Sequence, residues 1–385
     1  MRFTLTTLAL AAAFTTSQAA TIGLMAPLSG PQALVGQDQI DGFMLALEQA
    51  GGKLGGQPTT VLKEDDQLKP ETGQQIVRKF IDKDKVDAIV GLSFSNVLMG
   101  SLPRLAESGT VAIATNAGPS PIAGAQCKPN VFSVAWQNDG AAEAMGKFAQ
   151  DRGVKRVVLM APNYQAGKDM LTGFKRYYKG RIVDEVYTKM GQTDYQAELS
   201  QLRSKNPKAV FVFYPGGMGI QFLKQYSEAG LRGQYPLYSV YTVDEISIPA
   251  VKHAALGQLE TRYWSPDLKN PANEKYVADF RKKYNKMPVF YGAQSYDGIM
   301  LINSGVKAVK GNLSDKKGMI AAMRKADFPS TRGKFTYNHN HFPIQNFYLL
   351  KTVSGPAGQD PVMEIQKTVF TNHKDSYEKE CKMKW

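Results

Sequence analysis

The chain has 385 residues, 43% of them hydrophobic and 21% charged, with a formal net charge of +13. That balance is globular and argues against intrinsic disorder, while the length suits two domains of ordinary size. The Lys and Arg residues are spread along the chain with no basic block, so a nucleic-acid arm is excluded and a solvated cationic surface is the plain reading.

Residues 1–20 read as a secretory signal. Arg2 supplies the early positive charge, an uncharged Ala/Leu/Phe-rich stretch follows, and Ser17-Gln18-Ala19 offers a small-x-small cleavage pattern. The apolar stretch is too short to span a bilayer, and no later window reaches the length of a membrane span. Export to the periplasm is therefore expected. In such an oxidising compartment Cys127 and Cys381 are expected to pair, closing a long loop that contributes roughly 4–5 kcal/mol in the chain-entropy account.

From Thr21 onward the hydrophobic period alternates between strand and helix. Thr21–Pro27 is an apolar run that stops at Leu28-Ser29-Gly30-Pro31, and Gln39–Ala50 carries a helical stripe of Ile40, Phe43, Met44 and Leu47. Gly51–Gly56 marks a tight connection, Thr59–Lys63 a strand, Pro70–Lys83 a helix and Ala88–Val90 a buried strand that breaks at Gly91. A helix from about Asn96 to Ser108 leads to the strand Val111–Ile113. The pattern then restarts: strands at Arg156–Ala161, Ile182–Tyr187, Ala209–Tyr214 and Leu237–Val240 enclose helices at Lys168–Tyr178, Tyr195–Lys205 and Gly219–Ala229. Two successive α/β units, each with a doubly wound parallel sheet, are expected.

In such sheets ligands meet the loops at the carboxyl ends of the strands. Here those loops hold Ser, Asn, Gly, Pro and Tyr rather than a coherent catalytic set. No dinucleotide fingerprint, P-loop or nucleophile elbow is present, so no enzyme activity and no cofactor are expected. His339 and His341 are placed in a solvent-exposed turn rather than a metal site, since no third ligand of suitable spacing is near. Glu64-Asp65-Asp66 reads as a polar strand end.

Several motifs together resemble a known family. They are Gly23-Leu24-Met25-Ala26-Pro27-Leu28-Ser29-Gly30-Pro31 with Gly36 and Gly42, the Gly51-Gly52-x-x-Gly55 turn, Asp65-Asp66, Val90-Gly91 with its Ser-rich loop, Ser227-Glu228-Ala229-Gly230-Leu231 and Tyr296-Asp297-Gly298. In this order they look like the type I periplasmic binding proteins of branched-chain amino-acid ABC importers. The resemblance implies two lobes joined by three crossing strands near Val131–Asn138, Glu260–Trp264 and Phe335–Tyr348. Lobe 1 would be 21–135 plus 265–335, and lobe 2 would be 139–262 plus 338–385. It also implies a small ligand trapped by hinge closure, an ABC permease as partner and a monomeric chain; a ligand-sensing regulatory module of the same fold is the alternative.

Carried over by position, Ser95 after the third strand would receive a ligand carboxylate. Asn116, Ala117 and Gly118 follow the fourth strand, where Gly118 replaces a Thr usual in amino-acid binders. Ala166 stands where an aromatic often precedes the glycine matched by Gly167, with Tyr164 nearby, and Asp244 or Glu245 would meet an ammonium. Leu34, in the loop after the first strand, completes the candidate set. Phe94, Tyr164, Tyr214 and Tyr241 could line a slot for a ring, and Asn116–Ser120 with Trp136–Asp139 resembles the aromatic-acid-binding branch. The ligand is thus either a hydrophobic or aromatic carboxylate or an aliphatic amino acid.

Overall fold

Alternation of short apolar runs with amphipathic stretches builds two parallel-centred sheets in the computed structural model, which describes residues 19–384. Residues 1–18, most of the stretch 1–20 read as a signal, lie outside the described residues. The first sheet holds β1 (Ala20–Ala26), β2 (Lys53–Leu54), β3 (Gln57–Asp65), β4 (Ala88–Gly91), β5 (Val111–Ala114) and β6 (Val131–Ser133). Their spatial order is β2-β3-β1-β4-β5-β6, parallel except for the β2–β3 hairpin. Helices α1 (Ala33–Gln49), α2 (Pro70–Arg78), α3 (Ser95–Ser108) and the single turn α4 (Ser120–Ala123) connect them. Strands β4 and β5 are buried along their whole length, as the covered faces of a doubly wound sheet require.

The second unit alternates α5 (Asp139–Asp151), β7 (Arg156–Pro162), α6 (Gln165–Tyr177), β8 (Arg181–Thr188), α7 (Gln196–Lys205), β9 (Ala209–Val212), α8 (Gly217–Glu228), β10 (Leu237–Ser239), α9 (Ile248–Val251) and β11 (Leu259–Arg262). The chain then returns to the first lobe, where α10 (Pro271–Tyr284) and α11 (Phe290–Ala308) pack on α1, and α12 (Lys316–Met323) packs on α11. It ends in the second sheet with β12 (Thr336–Tyr337), β13 (Pro343–Val353) and β14 (Val362–His373). The order there is β12-β13-β11-β10-β9-β7-β8, with β14 on β13; the last three strands run antiparallel to their neighbours. Two doubly wound lobes are therefore linked by three passages of chain, at 134–138, 263–270 and 324–335.

Several boundaries move for identifiable reasons. Gly30-Pro31 opens a 3-10 turn that runs straight into α1, because proline is accommodated in the first turn of a helix. Leu34 consequently sits on a helix, 54% exposed, rather than in a cleft loop. The third passage, at 324–335, lies earlier in the chain than the family resemblance implies, since β12 and β13 already belong to the second sheet. The His339–His341 turn is not solvent-exposed: His341 is buried, stacks on Phe132 with centroids 4.0 Å apart and meets the Val131 carbonyl at 3.1 Å through Nδ1. Burial holds its pKa down to about 3, so the ring is neutral.

Cys127 and Cys381 form a disulfide with Cα atoms 5.7 Å apart. It ties the segment after α4 to the C-terminal tail, whose Asp375 accepts from Asn340 Nδ2 at 2.9 Å.

Candidate functional site

The carboxyl ends of both sheets face one another across a narrow cavity. Lobe 1 contributes Ser93, Phe94 and Ser95 from the β4–α3 junction, Asn116 and Ala117 from the loop after β5, and Tyr291 at the start of α11. Lobe 2 contributes Tyr164, Ala166 and Met170 from the β7–α6 junction, Phe213 and Pro215 after β9, and Tyr241 after β10. Trp136 and Asn138, on the first passage, form the floor between them.

Six of these fourteen lining residues are aromatic and none is charged. Trp136 stacks on Tyr241 with centroids 4.1 Å apart and planes 17° from parallel. Tyr164 faces Phe213 at 6.3 Å and, across the lobes, Phe94 at 6.5 Å. Flat apolar walls of this kind suit a ring, which gains burial together with offset stacking.

Polar capacity is concentrated at one wall. Ser95 is the first residue of α3 and is almost fully buried; its Oγ accepts from Asn138 Nδ2 at 3.2 Å, leaving its own hydroxyl proton to donate. Asn116 Nδ2 donates to the Ser93 carbonyl at 2.7 Å, while its Oδ1 has no partner. The starts of α3, α6 and α11 all reach the cavity, and their N-terminal backbone donors favour an anion there without any cationic side chain.

Five predicted contacts fall elsewhere. Tyr214 points into a separate core of lobe 2, stacked on Phe222 at 4.9 Å, because successive strand residues face opposite ways and its neighbour Phe213 takes the cavity side. Asp244 is fully buried and caps its own turn, accepting from Ile246 N at 3.1 Å and Ser247 N at 2.7 Å. Glu245 is a bidentate partner of the buried Arg262 at 2.7 and 3.1 Å. Leu34 is exposed on α1 and does not line the cavity. Gly118 sits beneath the floor, where a Cβ would stand 1.8 Å from the Trp136 carbonyl oxygen. A Thr at this position is sterically excluded by the chain beside it.

Behind the cavity, burial pushes Asp244 and Glu260 up to about 7, with Glu245 adding repulsion at Asp244 and Arg262 opposing the rise at Glu260. Glu260 Oε2 accepts from Thr242 N, Val243 N and Ser239 Oγ, whereas Oε1 is unpartnered. Sequence reasoning did not single out Ser93, Met170, Phe213, Pro215 or Tyr291 as lining residues. Strand parity would have found Phe213; Tyr291 is brought in only by the return of the chain to lobe 1.

The lobes touch around the cavity. Ser120 Oγ donates to Asp169 Oδ1 at 2.7 Å, and Gln32 Nε2 donates to the Pro215 carbonyl at 3.0 Å. Among the described residues no group of three His, Cys, Asp or Glu side chains is arranged to hold a metal ion. No described helix is long and apolar enough to cross a membrane.

Two doubly wound lobes linked by three passages of chain define the type I periplasmic-binding-protein fold. The family model for periplasmic binding proteins matches residues 19–358, and the chain belongs to that family. It is similar to Leu/Ile/Val-binding protein homolog 6 of Brucella melitensis biotype 1, at 25% identity over 90% of each chain. It is also similar to an ABC-transporter solute-binding protein of R. palustris solved in complex with benzoate: 31% identity, TM-score 0.89, covering 95% of this chain and 100% of that one. A solute-binding protein of Rhodopseudomonas palustris BisB5 in complex with 3,4-dihydroxybenzoic acid matches at 25% identity and TM-score 0.87, over 93% and 99% of the two chains. These relatives are transport binding proteins rather than enzymes.

Proposed function

We propose that the protein is the periplasmic receptor of an ABC importer for a small aromatic carboxylate, trapped between the lobes by hinge closure. The observation that carries this reading is the lining itself: six aromatic rings, no charged side chain, and a buried hydroxyl at the start of a fourteen-residue helix. Neither acidic residue that could have met an α-ammonium lines the cavity: Glu245 is paired with Arg262, and Asp244 is held by its own turn through Oδ1, with Oδ2 unpartnered. A ligand with a carboxylate and no ammonium therefore asks only for the hydroxyl and helix-start donors that the lining offers, and for no acidic partner.

Burying about 100 Å² of ring contributes roughly 2.5 kcal/mol. Micromolar binding needs about 8 kcal/mol, so the balance falls to carboxylate capture at Ser95 and the helix starts, and to contacts completed on closure. In this reading Phe94, Ser95, Asn116, Ala117, Tyr164 and Tyr241 hold the ligand, with Trp136 as a ring platform. The lobes are 21–133 with 271–323, and 139–262 with 336–385; the monomer is released after signal cleavage and a membrane permease recognises its closed form. The similarity to solute-binding proteins solved with benzoate and dihydroxybenzoate supports the ligand class.

A second reading, an aliphatic amino acid, is favoured by the unpartnered Asn116 Oδ1, an acceptor that an ammonium could satisfy, and by the Leu/Ile/Val-binding relatives. A thermal-shift panel separates them, since a ligand that binds only the native state raises its melting temperature. Benzoate and hydroxybenzoates are expected to raise it; a rise with leucine, isoleucine or valine alone would transfer the assignment to the second reading.

A further inference from the structure

On the hinge, away from the cleft, a separate cavity of about 130 Å³ is lined by Tyr263, Arg332, Lys334, Phe335, Gln345 and Tyr348, among others. No Asp or Glu lines it, although two of its side chains are cationic. The Arg332 side chain is only 6% exposed. Its guanidinium lies over the rings of Tyr263 and Phe335, 4.5 and 4.8 Å from their centroids, and both rings are walls of the same cavity.

The donors of Arg332 are unevenly used. Nη1 donates to the Ala135 carbonyl at 3.0 Å and to Gln345 Oε1 at 2.7 Å. Nε faces Asp297 Oδ2 at 3.6 Å, beyond a good hydrogen bond, and Asp297 is already committed to Ser330 Oγ and Thr331 N. Nη2 is buried with no partner. A buried cationic donor left open is costly, and a cavity with a second cation and no carboxylate can satisfy it only from solution.

We propose that this cavity is a second binding site, selective for a small oxyanion held between Arg332 Nη2 and Lys334. Oxyanions match the planar fork of an arginine, and Lys334 adds a point charge. Through Arg332 the anion contacts all three passages between the lobes: Ala135 on the first, Tyr263 on the second, and Arg332 itself on the third. The site does not depend on the identity of the cleft ligand.

Inorganic phosphate is the probe, titrated into the whole protein at constant ionic strength with chloride as the balancing anion, following melting temperature and calorimetric heat. A saturable response that chloride does not give is expected. Lys334→Glu, at an exposed position, should abolish it or weaken it by about tenfold or more, the equivalent of one charge-assisted contact. Ser95→Ala should leave it unchanged. No saturable response overturns the proposal. So does a response that survives Lys334→Glu or disappears with Ser95→Ala, because the anion would then be bound elsewhere or in the cleft.

Discussion

Replacing Ser95 by Ala removes one hydroxyl from a buried wall and nothing else. The Oγ of Ser95 accepts from Asn138 Nδ2, so its proton is directed to whatever anion enters the cleft. Deleting a hydrogen bond to a charged group costs about 1.5–3 kcal/mol, which is about a 10- to 150-fold rise in Kd at 1.4 kcal/mol per decade. Binding is not abolished, because the backbone donors at the start of α3 remain. Asn138 keeps Asp169 as an acceptor at 2.9 Å, so the fold should lose little. Calorimetric titration of benzoate into wild type and Ser95→Ala is the assay, with denaturant melts as the stability control. Unchanged affinity in a variant of unchanged stability would show that the carboxylate is not held at Ser95.

Gly118→Ala should destabilise the protein by about 1–3 kcal/mol, since the new methyl meets the Trp136 carbonyl at 1.8 Å and the floor of the cleft must move; urea melts read this directly, and ligand affinity should fall with it. Cys127→Ser should cost roughly 4–5 kcal/mol by freeing a loop of 254 residues in the unfolded chain, read as a lower denaturation midpoint that reductant no longer changes. Glu260 is an acid whose folded pKa lies near 7, above its value of 4.5 when unfolded, so its contribution is full below pH 4.5 and is lost as pH rises to 7. Glu260→Gln keeps the contacts made through Oε2 and removes the titration, so melting temperature against pH should fall less steeply than in wild type between those limits; parallel curves would contradict the assignment.

The fold was largely legible because doubly wound sheets announce themselves through short buried runs such as Ala88–Val90 and Val111–Ile113, separated by amphipathic helices. Positions tied to a strand end were legible too: Phe94, Ser95, Asn116, Ala117, Tyr164 and Tyr241 all line the cavity. What could not be read depended on direction or distance. Tyr214 and Phe213 are adjacent in an apolar run, and only the parity of β9 decides which faces the cavity. Asp244 and Glu245 carry the charge an amino-acid site needs, but Arg262, seventeen residues on, neutralises Glu245 through a strand pairing invisible in one dimension. Gly118 could be seen as a departure from amino-acid binders; its cause, the Trp136 backbone packed against it, could not.

Calorimetric competition between benzoate and leucine on the same protein weighs the central claim most directly. Micromolar one-to-one binding of benzoate, undisturbed by excess leucine, is the result expected of an aromatic cleft without a free carboxylate. Micromolar heat from leucine with none from benzoate would contradict it.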